Sequence, residues 1–137
     1  LTWATAQKEH EGFPLMLRRP TNLDVDLLRS SHPTLAVVTH EFTKRWPNGL
    51  PEPDYNETLF VMDIELVKAF DAGQKGVPVL VETFGGKRHY YFYVTADTDV
   101  PAIISAVAQH HPSERLSWIV RPDPQWGFLE RYTEDYF

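Results

Sequence analysis

One stretch, residues 77–95 with the sequence VPVLVETFGGKRHYYFYVT, constrains the fold more than the rest of the chain. Two runs rich in β-branched and aromatic residues surround Gly85-Gly86. Adjacent glycines suit a two-residue hairpin turn, because glycine adopts positive φ without a Cβ clash. The stretch therefore predicts a β-hairpin whose register places Glu82 opposite His89.

The same register places Thr83 opposite Arg88 and Val79 opposite Phe92. Both faces of this hairpin are apolar between residues 79 and 92. A strand that is buried on one side alternates apolar and polar residues, so the pattern predicts central strands that are covered on both sides.

The other elements follow from hydrophobic periodicity and from glycine and proline positions. We predict an opening hairpin from strands 2–7 and 13–18, a short helical turn within residues 22–31, strands 34–42 and 115–121, and a docked helix in the aromatic tail, residues 124–137.

Two longer helices are predicted as well. The first begins after the proline-rich loop 44–53, where Asp54 and Glu57 have capping-box spacing. Its apolar face consists of Tyr55, Leu59, Met62, Leu66 and Phe70, and its solvent face of Glu57, Asp63, Glu65 and Lys68. The second helix is capped by residues 97–99 and ends before Pro112.

From Thr34 onward the predicted order is strand, helix, strand, strand, helix, strand. This order is typical of the split βαβ arrangement, a ferredoxin-like α+β sandwich with both helices on one face of the sheet. We expect a single domain with an N-terminal β-hairpin and connection (1–32), a ferredoxin-like core (33–122) and a docked tail (123–137). The opposite sheet face needs cover from the hairpin, the tail or a second copy of the chain.

Length and hydropathy set the class of protein. At 137 residues and 42% hydrophobic content, the chain is long enough for one buried core and short for two. No apolar run approaches the roughly 18 residues that span a bilayer, and no charged-then-apolar leader opens the chain. We expect a cytoplasmic protein, and a first residue of Leu1 leaves room for a segment removed upstream.

Cysteine content and charge limit the kinds of site and partner that the chain can have. A chain without cysteine has no disulfide, thiolate nucleophile or cysteine-ligated zinc. A formal charge of −6 disfavours a nucleic-acid partner, because affinity for phosphates is built from clustered Lys and Arg. The same charge is compatible with a basic protein partner.

Glu82 and His89 are the best candidates for catalysis. A carboxylate beside an imidazole raises the pKa of the histidine and can orient the ring as a general base. A simple cross-strand ion pair is the alternative, and we favour it. Arg88, beside Thr83 or within reach of Glu41, either binds an anionic ligand or neutralises a carboxylate, and we again favour the second role.

Two histidine motifs give weaker signals. His40-Glu41 begins like the zinc-protease motif, but position 44 is Lys and the context is a strand. His110-His111 stands at a predicted helix end, where imidazoles suit the helix dipole better than they suit a metal. The sequence has no phosphate-binding glycine loop and no dinucleotide fingerprint, so we expect no cofactor and no metal.

Aromatic residues near the C-terminus are candidates for a partner interface. Trp118 falls on the last predicted strand, and Trp126 and Tyr132 fall in the tail. Trp and Tyr often anchor protein interfaces. Covering the open sheet face is their alternative role, and we expect it to account for most of them.

Several short motifs stand in order along the chain. They are Trp3 and Gly12, Gly49-Leu50-Pro51, Thr83 and Arg88 with Tyr90-Tyr91-Phe92-Tyr93, and Asp123-Pro124 with Trp126. Together they resemble domain-of-unknown-function family 695, which implies a small bacterial α+β domain without an established activity. In layout the chain is also distantly similar to the regulator of ribonuclease E activity type B, an acidic protein inhibitor with a ferredoxin-like fold. Neither resemblance supplies catalytic residues.

The sequence supports two hypotheses of different classes. The first, which we favour, is a non-catalytic domain that binds or regulates a protein partner. The second is a small hydrolase or isomerase in which Glu82 and His89 form an acid/base pair. A deep pocket at these residues would favour the enzyme, and a flat apolar patch would favour the binding domain.

Overall fold

The computed structural model describes residues 2–136, apart from the side chains of residues 135 and 136. Over these residues the chain forms an α+β fold with one six-stranded antiparallel sheet and four α-helices. The strands are β1 (Trp3–His10), β2 (Phe13–Pro20), β3 (Thr34–Glu41), β4 (Gly76–Phe84), β5 (Lys87–Val94) and β6 (Arg115–Pro122). The helices are α1 (Val25–Ser31), α2 (Asn56–Asp71), α3 (Val100–Gln109) and α4 (Gly127–Tyr136).

The strand order across the sheet is β1-β2-β4-β5-β3-β6. The opening hairpin extends the sheet, because β2 pairs with β4. The predicted neighbours 34–42 and 88–95 pair as β3 and β5, which confirms that part of the topology. Strands β1 and β6 are the two edges.

The β4–β5 hairpin has the predicted turn. Both Gly85 (φ 63°) and Gly86 (φ 81°) have positive φ, as a two-residue turn between twisted strands requires. Glu82 lies opposite His89, as predicted. The predicted pairing of Val79 with Phe92 is wrong, since Pro78 takes that place and the register shifts there. A proline has no N–H to donate, and a bulge is where a strand tolerates one.

The loop between β3 and α2 packs against this turn. Gly86 N–H donates to the carbonyl of Gly49 at 2.9 Å, and Phe42 N–H donates to the carbonyl of Gly86 at 2.9 Å. Gly49 itself has φ 88°, and a Cβ added there would lie 2.9 Å from the backbone of Gly85. Two glycine segments far apart in sequence therefore form one backbone junction.

Each face of the sheet has its own helical cover. Helices α2 and α3 share one core cluster with β3, β4 and β5; its largest side chains include Met62, Phe70, Tyr90 and Phe92. Helices α1 and α4 cover the other face, where Trp126 stacks on Tyr93 with ring centroids 4.1 Å apart. The prediction that β4 and β5 are covered on both sides is confirmed. We call these surfaces the α2/α3 face and the α1/α4 face.

The aromatic tail does dock as a helix, and Phe128 and Tyr132 pack on the α1/α4 face. Tyr136 and Phe137, which belong to the same predicted tail, lie outside the described side chains. Among the helices that the structure describes, none combines the length and the apolar character of a membrane span.

Two local predictions need correction. Asp54 does not cap α2; a 3₁₀ turn at Pro53–Tyr55 precedes the helix, Tyr55 is the N-cap residue, and Asp54 pairs with Lys44 at 3.6 Å. The proline starts the turn one residue before Asp54, so the helical backbone has already begun there. The opening hairpin is also tighter than predicted, with only Glu11 and Gly12 between β1 and β2.

Candidate functional site

Glu82 and His89 face each other on the α1/α4 face, but each is hydrogen-bonded to a different residue. His89 Nδ1 lies 2.8 Å from Thr39 Oγ1 on β3. Glu82 Oε2 accepts a hydrogen bond from the Tyr132 hydroxyl on α4. Both polar groups are therefore engaged in holding neighbouring elements to the hairpin.

The pKa of His89 is shifted in the direction opposite to the one predicted from the sequence. Burial, the largest effect, lowers the pKa of His89 below its ordinary value, and Lys87 lowers it further. Glu82 raises the pKa, as the sequence predicts, but it does not offset the burial. The histidine is consequently neutral at pH 7, so the pair is not an ion pair there.

Arg88 points to the opposite face of the sheet. Its Nε donates to Thr83 Oγ1 at 2.9 Å, and its Nη1 lies 3.2 Å from Asp63 Oδ2. Arg88 thus neutralises a carboxylate, as favoured, but that carboxylate is Asp63 and not Glu41. The three catalytic candidates are divided between two faces and do not form one site.

Asp63 is the centre of a polar cluster that the sequence analysis missed. Its carboxylate accepts hydrogen bonds from Arg18 Nη2 at 2.8 Å, from Arg88 and from the Tyr90 hydroxyl. Its side chain is 15% exposed, so the prediction that it faces solvent is wrong. Its spacing, four residues after Leu59 and three before Leu66, already places it on the apolar face of α2.

Residues that carry the family resemblance meet at this cluster. The Arg18 guanidinium lies 5.0 Å from the ring centroid of Trp3. Arg88 and Tyr90 contact Asp63 directly, and Thr83 accepts a hydrogen bond from Arg88. Arg18, Thr83 and Arg88 line a cavity of about 140 Å³. That volume is below the range of about 300–1,000 Å³ that is usual for ligand pockets, so the arrangement suits packing better than substrate binding.

A second buried polar group lies at the end of β3. His40 is fully buried, its Nε2 is 2.9 Å from Glu114 Oε1, and the Tyr55 hydroxyl donates to the same carboxylate. Burial is the largest effect on the pKa of His40 and lowers it, although Glu114 acts in the opposite direction. Glu41 is not part of this group.

Two histidines after α3 link two helices. His110 Nδ1 and His111 Nε2 lie 3.3 Å and 3.0 Å from Glu65 Oε2, so the end of α3 is joined to α2. Among the described residues, no group of three or more histidine and carboxylate side chains is arranged to hold a metal ion.

The three partner-binding candidates differ in exposure. Trp126 is 1% exposed, and its indole N–H donates to the His32 carbonyl at 2.8 Å, so this side chain belongs to the core. Tyr132 is half-buried between Glu82 and the rings of Tyr91 and Phe128. Trp118 is 42% exposed on the edge strand β6.

Trp118 also has exposed apolar neighbours. Ile119 is 64% exposed and Val120 is 44% exposed. Successive residues of a strand point to opposite faces, so β6 presents apolar side chains on both sides of an open edge. The alternating pattern of residues 115–121 predicts a strand that is exposed on one face, whereas the structure leaves residues on both faces exposed.

Comparison with known proteins gives a family and nothing more specific. No curated protein matches the chain, and no solved structure matches it. The family model described as "Family of unknown function (DUF695)" matches residues 2–133 of the 137, which agrees with the resemblance carried by the sequence motifs. The chain therefore belongs to the DUF695 family.

Proposed function

We propose that this protein is a non-catalytic binding module that holds an extended segment of a partner protein along the edge of strand β6. The observation that carries the proposal is the exposed apolar run Trp118-Ile119-Val120 on an unpaired sheet edge. An open edge offers backbone N–H and C=O groups in a row, and an added strand can pair with them.

The two edges of the sheet differ in a way that supports this role. Strand β1 ends in Lys8, Glu9 and His10, all of which are exposed. Charged residues are a common device that keeps an edge strand from pairing with another chain. Strand β6 has an apolar centre instead, so its centre lacks that protection.

Local charge suggests the chemistry of the partner. Arg115 and Arg121 stand near the two ends of β6, and the strand contains no acidic residue. The edge is thus locally basic, although the whole chain has a formal charge of −6. We therefore favour a partner segment with apolar residues between acidic ones, rather than the basic partner that the total charge suggests.

The enzyme hypothesis has less support. Glu82 and His89 are each committed to another side chain, and Arg88 lies on the other face of the sheet. The polar groups of an acid/base site should instead converge on a pocket. A small hydrolase or isomerase activity remains the alternative.

We also infer that β3, α2, β4, β5, α3 and β6 form a ferredoxin-like split βαβ unit. The order β4-β5-β3-β6 and the position of α2 and α3 on one face support this inference. The distant similarity in layout to the regulator of ribonuclease E activity type B stays a prediction.

Selection of displayed random peptides on the immobilised protein tests the binding proposal. We expect enriched peptides with alternating β-branched residues and at least one acidic residue, and we expect backbone amide shifts along β6 in NMR spectra. Ile119→Lys should abolish binding, because a lysine on an edge opposes strand pairing. Leu27→Lys is the matched control, since Leu27 is 67% exposed on α1, and it should bind normally.

Three results would contradict the proposal. One is no enrichment of peptides, and another is equal binding by Ile119→Lys and Leu27→Lys. The third is a concentration-dependent dimer that Ile119→Lys dissociates, which would make a second copy of the chain the occupant of the edge. Turnover in a broad hydrolase screen, if His89→Ala abolishes it, would instead support the enzyme hypothesis.

A further inference from the structure

A cleft of about 510 Å³ opens between helices α1 and α4, away from the β6 edge. Its floor and walls include Trp126 and Leu129, which belong to the core cluster of the α1/α4 face. Three charged residues, Arg19, Arg29 and Glu130, also line it. The volume falls within the range of about 300–1,000 Å³ that holds small molecules.

Arg29 carries a buried hydrogen-bond donor in this cleft. Its Nε is buried, and among the described residues no atom accepts a hydrogen bond from it. A guanidinium donor that is removed from water without an acceptor is costly, and buried donors are normally satisfied. An acceptor that enters the cleft would satisfy this donor.

The charge of the lining limits what that acceptor can be. Arg19 is engaged in an interaction of its own. Glu130 on the same lining repels anions, so a ligand with several negative charges is disfavoured. A single planar carboxylate matches one guanidinium edge and leaves no excess charge.

We infer that the cleft binds a small monocarboxylate whose apolar body lies against Trp126 and Leu129 while its carboxylate accepts a hydrogen bond from Arg29. The apolar body accounts for the lining by core side chains, and the carboxylate accounts for the buried donor. This site is separate from β6, so it does not depend on the proposed protein-binding role.

Isothermal titration with octanoate and phenylacetate, one linear and one aromatic carboxylate, tests the inference. We expect at least one of them to bind and to shift the Trp126 indole N–H signal in NMR spectra. Octan-1-ol and octyl phosphate should bind more weakly than octanoate. Arg29→Gln should weaken carboxylate binding about tenfold or more, because it removes a charge-assisted hydrogen bond.

Two further variants separate binding from folding. Lys68→Gln is the charge-matched control, because Lys68 is exposed on α2, and the affinity of this variant should equal that of the parent. Thr133→Met narrows the cleft without altering Arg29 and should also reduce binding. Thermal melts of each variant show whether it is folded under the titration conditions.

The inference is overturned if neither carboxylate binds at millimolar concentration. It is also overturned if octan-1-ol or octyl phosphate binds as tightly as octanoate, or if folded Arg29→Gln retains the parent's affinity. Loss of binding in Arg29→Gln and Thr133→Met, with normal binding in Lys68→Gln, supports it.

Discussion

Asp63 holds helix α2 to two strands through a single carboxylate. The carboxylate accepts hydrogen bonds from Arg18 on β2 and from both Arg88 and Tyr90 on β5. The carboxylate compensates two arginines that would otherwise stand beside an apolar core. One residue thus stabilises the packing of three elements.

Replacing Asp63 with Asn should destabilise the protein strongly. The charges of Arg18 and Arg88 would lose their counter-ion, and breaking a fully buried pair costs about 3–5 kcal/mol. The Arg18 side chain is 34% exposed, so we expect a smaller loss in the free energy of unfolding, about 2–4 kcal/mol. Urea denaturation measures it.

Glu57→Gln is the control for that measurement, because Glu57 is exposed on the same helix. Its effect should stay within about 0.5 kcal/mol. Equal stability of the Asp63 and Glu57 variants would show that the cluster contributes nothing.

A second residue-scale prediction concerns His89. Glu82→Gln removes the negative charge that raises the His89 pKa, so the pKa should fall further below its ordinary value. Titration of the imidazole signals by NMR measures the change. Glu9→Gln, at an exposed position on β1, should leave the His89 pKa unaltered. A His89 pKa that is insensitive to Glu82→Gln would mean that the two groups do not interact.

At the scale of elements, the fold depends on a contact between two loops. The β3–α2 loop and the β4–β5 turn meet with backbone against backbone at Gly49, Gly85 and Gly86. A side chain at Gly49 would separate them. This junction fixes where α2 begins relative to the sheet. The start of α2 in turn determines where the Asp63 side chain meets the strands.

Gly49→Ala should therefore cost more than the backbone strain of a positive φ. Strain alone amounts to about 1–2 kcal/mol, which is what we expect for Gly12→Ala, where φ is 83° and a Cβ meets nothing within 4 Å. At Gly49 the added Cβ also meets the Gly85 backbone, so the loss in stability should exceed that of Gly12→Ala by about 1 kcal/mol or more. Denaturation midpoints of the two variants compare them. Equal destabilisation of both variants would mean that a Cβ at position 49 does not clash with the Gly85 backbone.

At the scale of the whole molecule, burial of neutral histidines ties stability to pH. His40 and His89 both have a folded-state pKa below the ordinary value of 6.5, chiefly because they are buried. As the pH falls below about 6.5, the unfolded chain takes up protons that the folded chain does not. Their contribution to stability is therefore complete above that pH and declines with acidification toward the folded-state pKa.

We expect the free energy of unfolding to fall between pH 7.5 and pH 5.5, by at most about 1.4 kcal/mol per pH unit for each histidine. His89→Gln should reduce this slope, and Gln7→Asn, which changes no titratable group at an exposed site on β1, should not. Urea denaturation at several pH values provides the comparison. Stability that is constant or rises on acidification would contradict the prediction.

Local patterns were sufficient for much of the architecture. The glycine pair determined the β4–β5 turn and hence the Glu82–His89 register, because register follows directly from turn length. The 3.6-residue periodicity identified the buried side of α2, including Leu59, Met62 and Phe70. The predicted register is wrong beyond Leu80, because it was counted from the turn without allowing for the bulge next to Pro78.

What the sequence by itself determined is the set of elements, their order and the DUF695 family, because turn chemistry and hydrophobic periodicity act over a few residues. The tertiary structure alone decided which polar side chains meet. Asp63 joins Arg18 and Arg88 across 45 and 25 positions of the chain, and Glu114 reaches His40 across 74. It also decided that Trp126 is buried while Trp118 is exposed, although both are tryptophans near the C-terminus. Such roles depend on what packs against a side chain, and that is settled only when the sheet order and the helical cover are in place.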